Sequence, residues 1–173
     1  MIKMNLIKFT RYQSPAGELT LGSIGDKLCM CDWTNGRRHV SNGQRICRYF
    51  HAEFAAGTSD IIIETIKQLD EYFAGKRRNF SIPLVFAGSK FQCTVWAELG
   101  KIPYGEAISY AQLARRIGNP KAVRAVASAN ANNAISILVP CHRVIGSNNT
   151  LTGYGGGLEA KQFLLELETP IIL

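Results

Sequence analysis

The chain of 173 residues is long enough for one ordinary domain or two small ones, and its 46% hydrophobic content is that of a globular protein rather than a disordered one. Its net charge of +7 at pH 7 and pI near 9.3 favour a polyanionic partner. No apolar run is long enough to span a bilayer, so no membrane association is expected.

The opening residues, MIKMNLIKFTRYQSP, interleave Lys3, Lys8 and Arg11 with apolar side chains and lack the core of a signal peptide. A cytoplasmic protein is therefore expected. The five cysteines (Cys29, Cys31, Cys47, Cys93 and Cys141) show no framework spacing, so reduced thiols are the default. LTLGSIGDKLCMCDW (19–33) alternates apolar residues on both sides of Gly25-Asp26, the pattern of a β-hairpin. DIIIETIKQLDEYF (60–73) has apolar residues at 62, 63, 66, 69, 72 and 73, which is helical spacing, and Gly75 follows as a stop. The basic cluster GKRRNF (75–80) begins a linker that runs through Pro83 and Gly88.

From Ser89 the chain reads as short helices with sharp stops. One ends at Gly100, before a turn through Pro103 and Gly105, and its Cys93, Val95 and Trp96 read as core. The expected fold is α+β: a small α/β N-terminal domain (hairpin sheet plus helix) over 1–85, then a mainly helical C-terminal domain with a helix-turn-helix over 86–173.

That helix-turn-helix is read from its caps. In ISYAQLARRIGNPKAVRAVASANANN (108–133), Ser109 and Gln112 have capping-box spacing and Gly118 supplies a left-handed stop. Asn119 can cap the second helix, with Pro120 in its first turn. The second helix has a polar stripe of Lys121, Arg124 and Ser128, and a small-residue face of Ala122, Ala125, Val126 and Ala129. Residues 100–150 hold six cations against one acid, Glu106. The stripe is either a solvated face or a phosphate-contacting one; the alanines either pack on the first helix or admit a close partner.

ILVPCHRVIG (137–146) places a thiol, an imidazole and a guanidinium side by side after an apolar strand, ISILV, that ends at Pro140. A thiolate is the nucleophilic form of cysteine, and a neighbouring base favours it. Adjacent residues of an extended chain face opposite ways, so His142 can serve Cys141 only through a turn or a bridging water. Glu166 and Glu168, late in the helix LEAKQFLLELE (158–168), are candidates to orient the imidazole. On these grounds Cys141 is either a nucleophile or a core residue.

PCHRV (140–144), with NNAISILV before it and TGYGGG after it, resembles the active-site signature of the O6-alkylguanine-DNA alkyltransferases, the methylated-DNA–protein-cysteine methyltransferases. The likeness extends through IPYGEAISYAQLA, GNPKAVRAV and KQFLLELE, over about residues 89–168. In the first half only the pattern is similar: the SPAGELTLG opening, the hairpin, and LDEYFAG before the linker.

The resemblance implies a DNA repair protein acting on double-stranded DNA through the minor groove, as a monomer and without a cofactor. It would flip O6-alkylguanine out of the duplex and move the alkyl group irreversibly onto its own cysteine; O4-methylthymine is a second candidate substrate. Cys141 would be the acceptor, His142 its base through a water, and Glu168 the group that orients His142. Tyr110 would donate a proton toward the leaving guanine and lie near the phosphate of the flipped nucleotide, and Asn133 would hold the turn into the active-site strand.

Arg124 would enter the base stack in place of the flipped nucleotide, as a planar cation can. Lys121, Ala122, Ala125, Ser128 and Ala129 would lie at the DNA with it. Backbone carbonyls of Cys141 and Val144 would read the guanine amino group, and Tyr154 with the GYGGG loop would wall the pocket. Gly155 stands where some relatives carry a serine, so a hydrogen bond to O6 comes from backbone or is absent. Cys29, Cys31, His39, Cys47 and His51 do not match the zinc ligands of certain relatives, and no metal is expected. The rival reading is a protein that binds alkylated DNA without reacting.

Overall fold

A computed structural model describes residues 3–169. β1 (Asn5–Ser14), β2 (Gly17–Ile24) and β3 (Lys27–Trp33) form an antiparallel meander, with the expected turn at Gly25-Asp26. β4 (Ala52–Ala56) joins β1 in parallel, giving the order β3-β2-β1-β4. Both faces of this sheet are covered. Leu19 and Leu21 pack with Ile62, Leu69 and Tyr72 of α2 (Asp60–Phe73), while Ile7 and Met30 pack with Ile46 of α1 (His39–Phe50). A strand buried on both faces carries a continuous apolar run, which explains LCMC in β3.

α1 and β4 have no counterpart in the hairpin-plus-helix expectation. α1 starts at Arg38 without a side-chain cap, and its buried residues are Asn42 and Ile46. Such a helix offers no start signal. α2 has a start and a stop: Ser59 Oγ accepts from Ile62 N at 3.2 Å, and Gly75 follows at φ +74°.

In the second half, α3 (Lys90–Leu99) and α4 (Tyr110–Arg116) each open with a complete capping box, Ser89/Gln92 and Ser109/Gln112. Gly118, at φ +80°, ends α4 as expected. α5 (Val123–Ala131) begins later than the caps suggest. Asn119 does not cap it: the Asn119 carbonyl accepts from Ala122 N at 3.0 Å, closing a turn through Pro120, and the helix starts after that turn. Trp96 of α3 donates its Nε1 to the Ala129 carbonyl at 2.8 Å, tying α3 to α5.

ISILV is not a strand. Ile137 is left-handed at φ +72°, and Ser136 and Val139 bridge across a tight turn. The segment instead docks on β3, with Cys31 N donating to Ala134 O at 2.8 Å and Ser136 N to Cys31 O at 2.7 Å. The linker uses the same strand edge, through Leu28 N to Pro83 O and Val85 N to Leu28 O. β5 (Ile108–Ser109) and β6 (Val144–Ile145) form a short parallel pair, and α6 (Leu158–Glu168) closes the described chain.

Candidate active site

Cys141, His142 and Arg143 form a single 3-10 turn, which removes the obstacle that an extended chain would have posed. Upstream, the Asn133 side chain holds the loop that delivers Cys141. Its Nδ2 donates to Val139 O at 2.9 Å and its Oδ1 accepts from Ile135 N at 3.0 Å. Cys141 N in turn donates to Val139 O at 2.8 Å.

His142 is wholly buried, and its Nε2 lies 2.8 Å from Glu168 Oε1. Arg143 grips the same carboxylate at both ends, Nε to Oε2 at 2.9 Å and a terminal nitrogen to Oε1 at 2.8 Å. Its other terminal nitrogen donates to Ile102 O at 2.6 Å. Tyr72 Oη donates to Glu168 Oε1 at 2.8 Å. Burial pushes the Glu168 carboxyl up, but the His142 and Arg143 donors outweigh it and hold the carboxyl down at about 2. A charged Glu168 places the proton on His142 Nε2, leaving Nδ1 as the lone-pair nitrogen. No side chain among the described residues bonds Nδ1. Burial pushes the His142 imidazolium below its ordinary value, against the pull of Glu168, so the ring is a neutral base at pH 7.

Burial pushes the Cys141 thiol up; Asn133, Lys161 and Ser136 act against that rise. Lys161 is buried on α6 and donates its Nζ to Val144 O at 2.6 Å and Thr152 O at 3.1 Å. Desolvation brings its ammonium down to about 8.

A cavity of about 600 Å³ opens onto Cys141, lined also by Asp32, Tyr110, Ser136 and Tyr154. Gly153–Leu158 form one wall and Asn35–Arg38 of the β3–α1 loop form another. Trp33 packs edge-on against Tyr154, with centroids 5.9 Å apart. The Tyr154 hydroxyl and Asn130 Oδ1 are buried without a protein partner among the described residues, and both residues line this cavity. The site thus joins a thiol, an imidazole base with an anchored carboxylate, and a walled space with polar groups to spare.

Family models match both halves: the "6-O-methylguanine DNA methyltransferase, ribonuclease-like domain" over residues 7–86 and the "6-O-methylguanine DNA methyltransferase, DNA binding domain" over residues 90–170. The constitutive methylated-DNA–protein-cysteine methyltransferase of Bacillus subtilis is 43% identical over 166 residues, 92% of this chain and 94% of that one. The chain belongs to the 6-O-methylguanine DNA methyltransferase family.

A Methanosarcina barkeri methylated-DNA–protein-cysteine methyltransferase is 51% identical over 156 residues, covering 90% of this chain and 93% of that relative. The crystal structure of the Mycobacterium tuberculosis family member in complex with DNA matches with a TM-score of 0.78 at 40% identity. That match covers 94% of this chain and 92% of the other. The α+β fold class expected from the sequence holds across these relatives.

Within this family fold, Cys141, Asn133, Tyr110, Tyr154 and Gly155 meet at the cavity, while His142 and Glu168 are buried and do not line it. Of the two candidate carboxylates, Glu166 is exposed and accepts from Gln162. Val144 is not part of the cavity wall; it is fully buried and its carbonyl already accepts from Lys161. Arg124, Ala125 and Ser128 are exposed along α5, while exposed Lys121 and half-buried Ala122 precede the helix rather than lying on it.

Ala129 leaves the expected DNA-facing set: it is 2% exposed and packs in the core beside Trp96. Sequence reasoning missed Tyr72 and Lys161 as parts of the site and noted Arg143 beside Cys141 and His142 without giving it a role. The signal for Lys161 was present, since it occupies an inward position of α6 one turn before Leu164. Among the described residues no group of three or more His, Cys, Asp and Glu is placed to hold a metal ion, and no helix is long and apolar enough to cross a membrane.

Proposed function

We propose that the chain repairs DNA by taking the alkyl group of O6-alkylguanine onto Cys141, and that His142 and Glu168 make this possible as a relay. The observation that carries the reading is the buried Glu168–His142 pair, with His142 in the same 3-10 turn as the cavity-lining Cys141. His142, through a bridging water, takes the thiol proton, and the Cys141 sulfur attacks the carbon attached to O6. The S–C bond forms, the C–O6 bond breaks and its electron pair passes to the guanine. Tyr110, at the cavity edge, supplies the proton that restores neutral guanine. A thioether does not hydrolyse, so each molecule acts once, and no cofactor enters the balance.

The exposed face of α5, with Arg124, Ala125 and Ser128, is assigned to the minor groove together with Lys121 in the turn before it and Ala122 at its margin. Arg124 fills the stack where the nucleotide leaves, an exchange that a damaged, poorly paired base makes cheaper. Residues 1–85 form the scaffold domain and 86–173 the DNA-binding and transfer domain, in a protein that works as a monomer. A thiol nucleophile needs a reducing compartment, which fits the cytoplasm.

The test is intact mass and peptide mapping after mixing the protein with duplex DNA that contains one O6-methylguanine. A gain of one methylene unit on Cys141, saturating at one per protein, is expected. DNA held with its lesion intact and no mass gain would make the chain a lesion-binding protein instead.

A further inference from the structure

The relay carboxylate is held from outside its own half of the chain. Tyr72 belongs to α2, under the N-terminal sheet, and is 96 residues from Glu168, yet its hydroxyl donates to Oε1 at 2.8 Å. Oε1 is also the oxygen that faces His142 Nε2, and it takes the terminal nitrogen of Arg143 as well. Three donors therefore converge on one oxygen, while Oε2 receives Arg143 alone. Tyr72 is fully buried, and its ring is wedged among Phe73, Phe80 and Tyr104 at centroid distances of 5.2, 5.5 and 6.3 Å. This packing fixes the ring so that its hydroxyl oxygen is held at Glu168.

We infer that Tyr72 is a positioning residue of the alkyl-transfer relay, through which the N-terminal half sets the basicity of His142. A hydroxyl donating to a carboxylate oxygen withdraws negative charge from it. With the Tyr72 hydroxyl in place, Oε1 attracts the His142 proton less, and the imidazolium is released at lower pH. Without it, Glu168 holds the imidazolium more tightly and the neutral base appears only at higher pH. The other groups facing the pair do not replace Tyr72. Arg143 already spans both oxygens, Lys161 is committed to Val144 O and Thr152 O, and Tyr104 donates to the Leu167 carbonyl at 3.2 Å. Arg78 lies over the Tyr104 ring rather than at the carboxylate.

The inference rests on the proposed relay, and single-turnover methyl transfer from duplex O6-methylguanine DNA, measured from pH 5 to 9, separates the two. Tyr72→Phe keeps the packed ring and removes only the donor. Its acid limb is expected to move upward by about one pH unit, the size of a lost hydrogen bond to a charged group, with DNA affinity unchanged. Tyr104→Phe, which loses a neighbouring hydroxyl not bonded to Glu168, leaves the limb in place. In a Glu168→Gln background Tyr72→Phe adds no further shift. A uniform loss of rate in Tyr72→Phe with an unmoved limb would reduce Tyr72 to packing and overturn the inference. A Glu168→Gln protein with wild-type rate and profile would instead overturn the relay itself.

Discussion

Arg143 meets Glu168 in a forked pair, 2.9 Å from Nε to Oε2 and 2.8 Å from its terminal nitrogen to Oε1, in a place where both side chains are almost free of solvent. The residue beside the proposed base thus joins His142 in keeping the relay carboxylate ionised. A bidentate guanidinium does this better than an ammonium, because its planar fork matches both oxygens at once.

Loss of that fork is costly. Arg143→Ala leaves the Glu168 charge short of two donors and the Ile102 carbonyl short of one. Breaking a buried pair in this way costs about 3–5 kcal/mol. Urea unfolding should show a fall of that size with an unchanged slope; a loss under 1 kcal/mol would mean the pair is solvated in solution.

Acid should weaken the fold through the same carboxylate. The Glu168 carboxyl lies at about 2 in the folded protein against an ordinary 4.5, so its contribution is complete above pH 4.5 and lost as pH falls toward 2. The gap corresponds to on the order of 3 kcal/mol. His142, lowered by burial, acts in the same sense: its contribution is lost as pH falls below the ordinary imidazole value. Chemical denaturation at pH 7, 5 and 3.5 should therefore give decreasing stability. Glu168→Gln should flatten the lower part of that curve, and a parallel curve would refute the assignment.

Gly156 has no room for a side chain. A Cβ there would lie 2.6 Å from Cδ2 of the Trp33 indole, so the wall of the cavity would have to move. Gly156→Ala should cost about 1–3 kcal/mol, as overpacking does, and shift Trp33 fluorescence together with the transfer rate. Gly155→Ala is the contrast, since its Cβ meets the same ring at an ordinary 3.7 Å; equal effects of the two would show that the Trp33 contact does not set the wall.

DNA affinity should fall with salt, because cations that contact phosphates release counterions. Lys121→Ala should lower the slope of log affinity against log salt by about one phosphate contact. Arg124→Ala should slow transfer from duplex DNA more than transfer from free O6-methylguanine base. Equal slowing on both substrates would remove the stacking role from Arg124.

Local chemistry in this chain was legible and distant chemistry was not. Ser109 with Gln112, Gly118 and Gly75 announce helix ends because cap and stop are encoded within a few residues. α1 was missed because it starts without a side-chain cap and turns Asn42 as well as Ile46 inward. ISILV misleads because its apolar side chains are buried by docking against β3, in a turn that forces a β-branched residue to φ +72°. Cys141, His142 and the pair Glu166 and Glu168 stood out from local chemistry, but only resemblance to a signature decided for a nucleophile and for Glu168. Tyr72 could not come from either source, since its partner is 96 residues away and its own spacing is that of any core aromatic.

The outer edge of β3 carries one more implication. Leu28 binds the linker at Pro83 and Val85, and Cys31 binds the loop at Ala134 and Ser136, so a single strand splints both segments that lead to the nucleophile. Native-state hydrogen exchange should find the amides of Leu28, Cys31, Val85 and Ser136 opening together, as one cooperative unit. Severed from β3, the reactive half would lose the template for its own active-site loop and leave an unpaired strand edge behind.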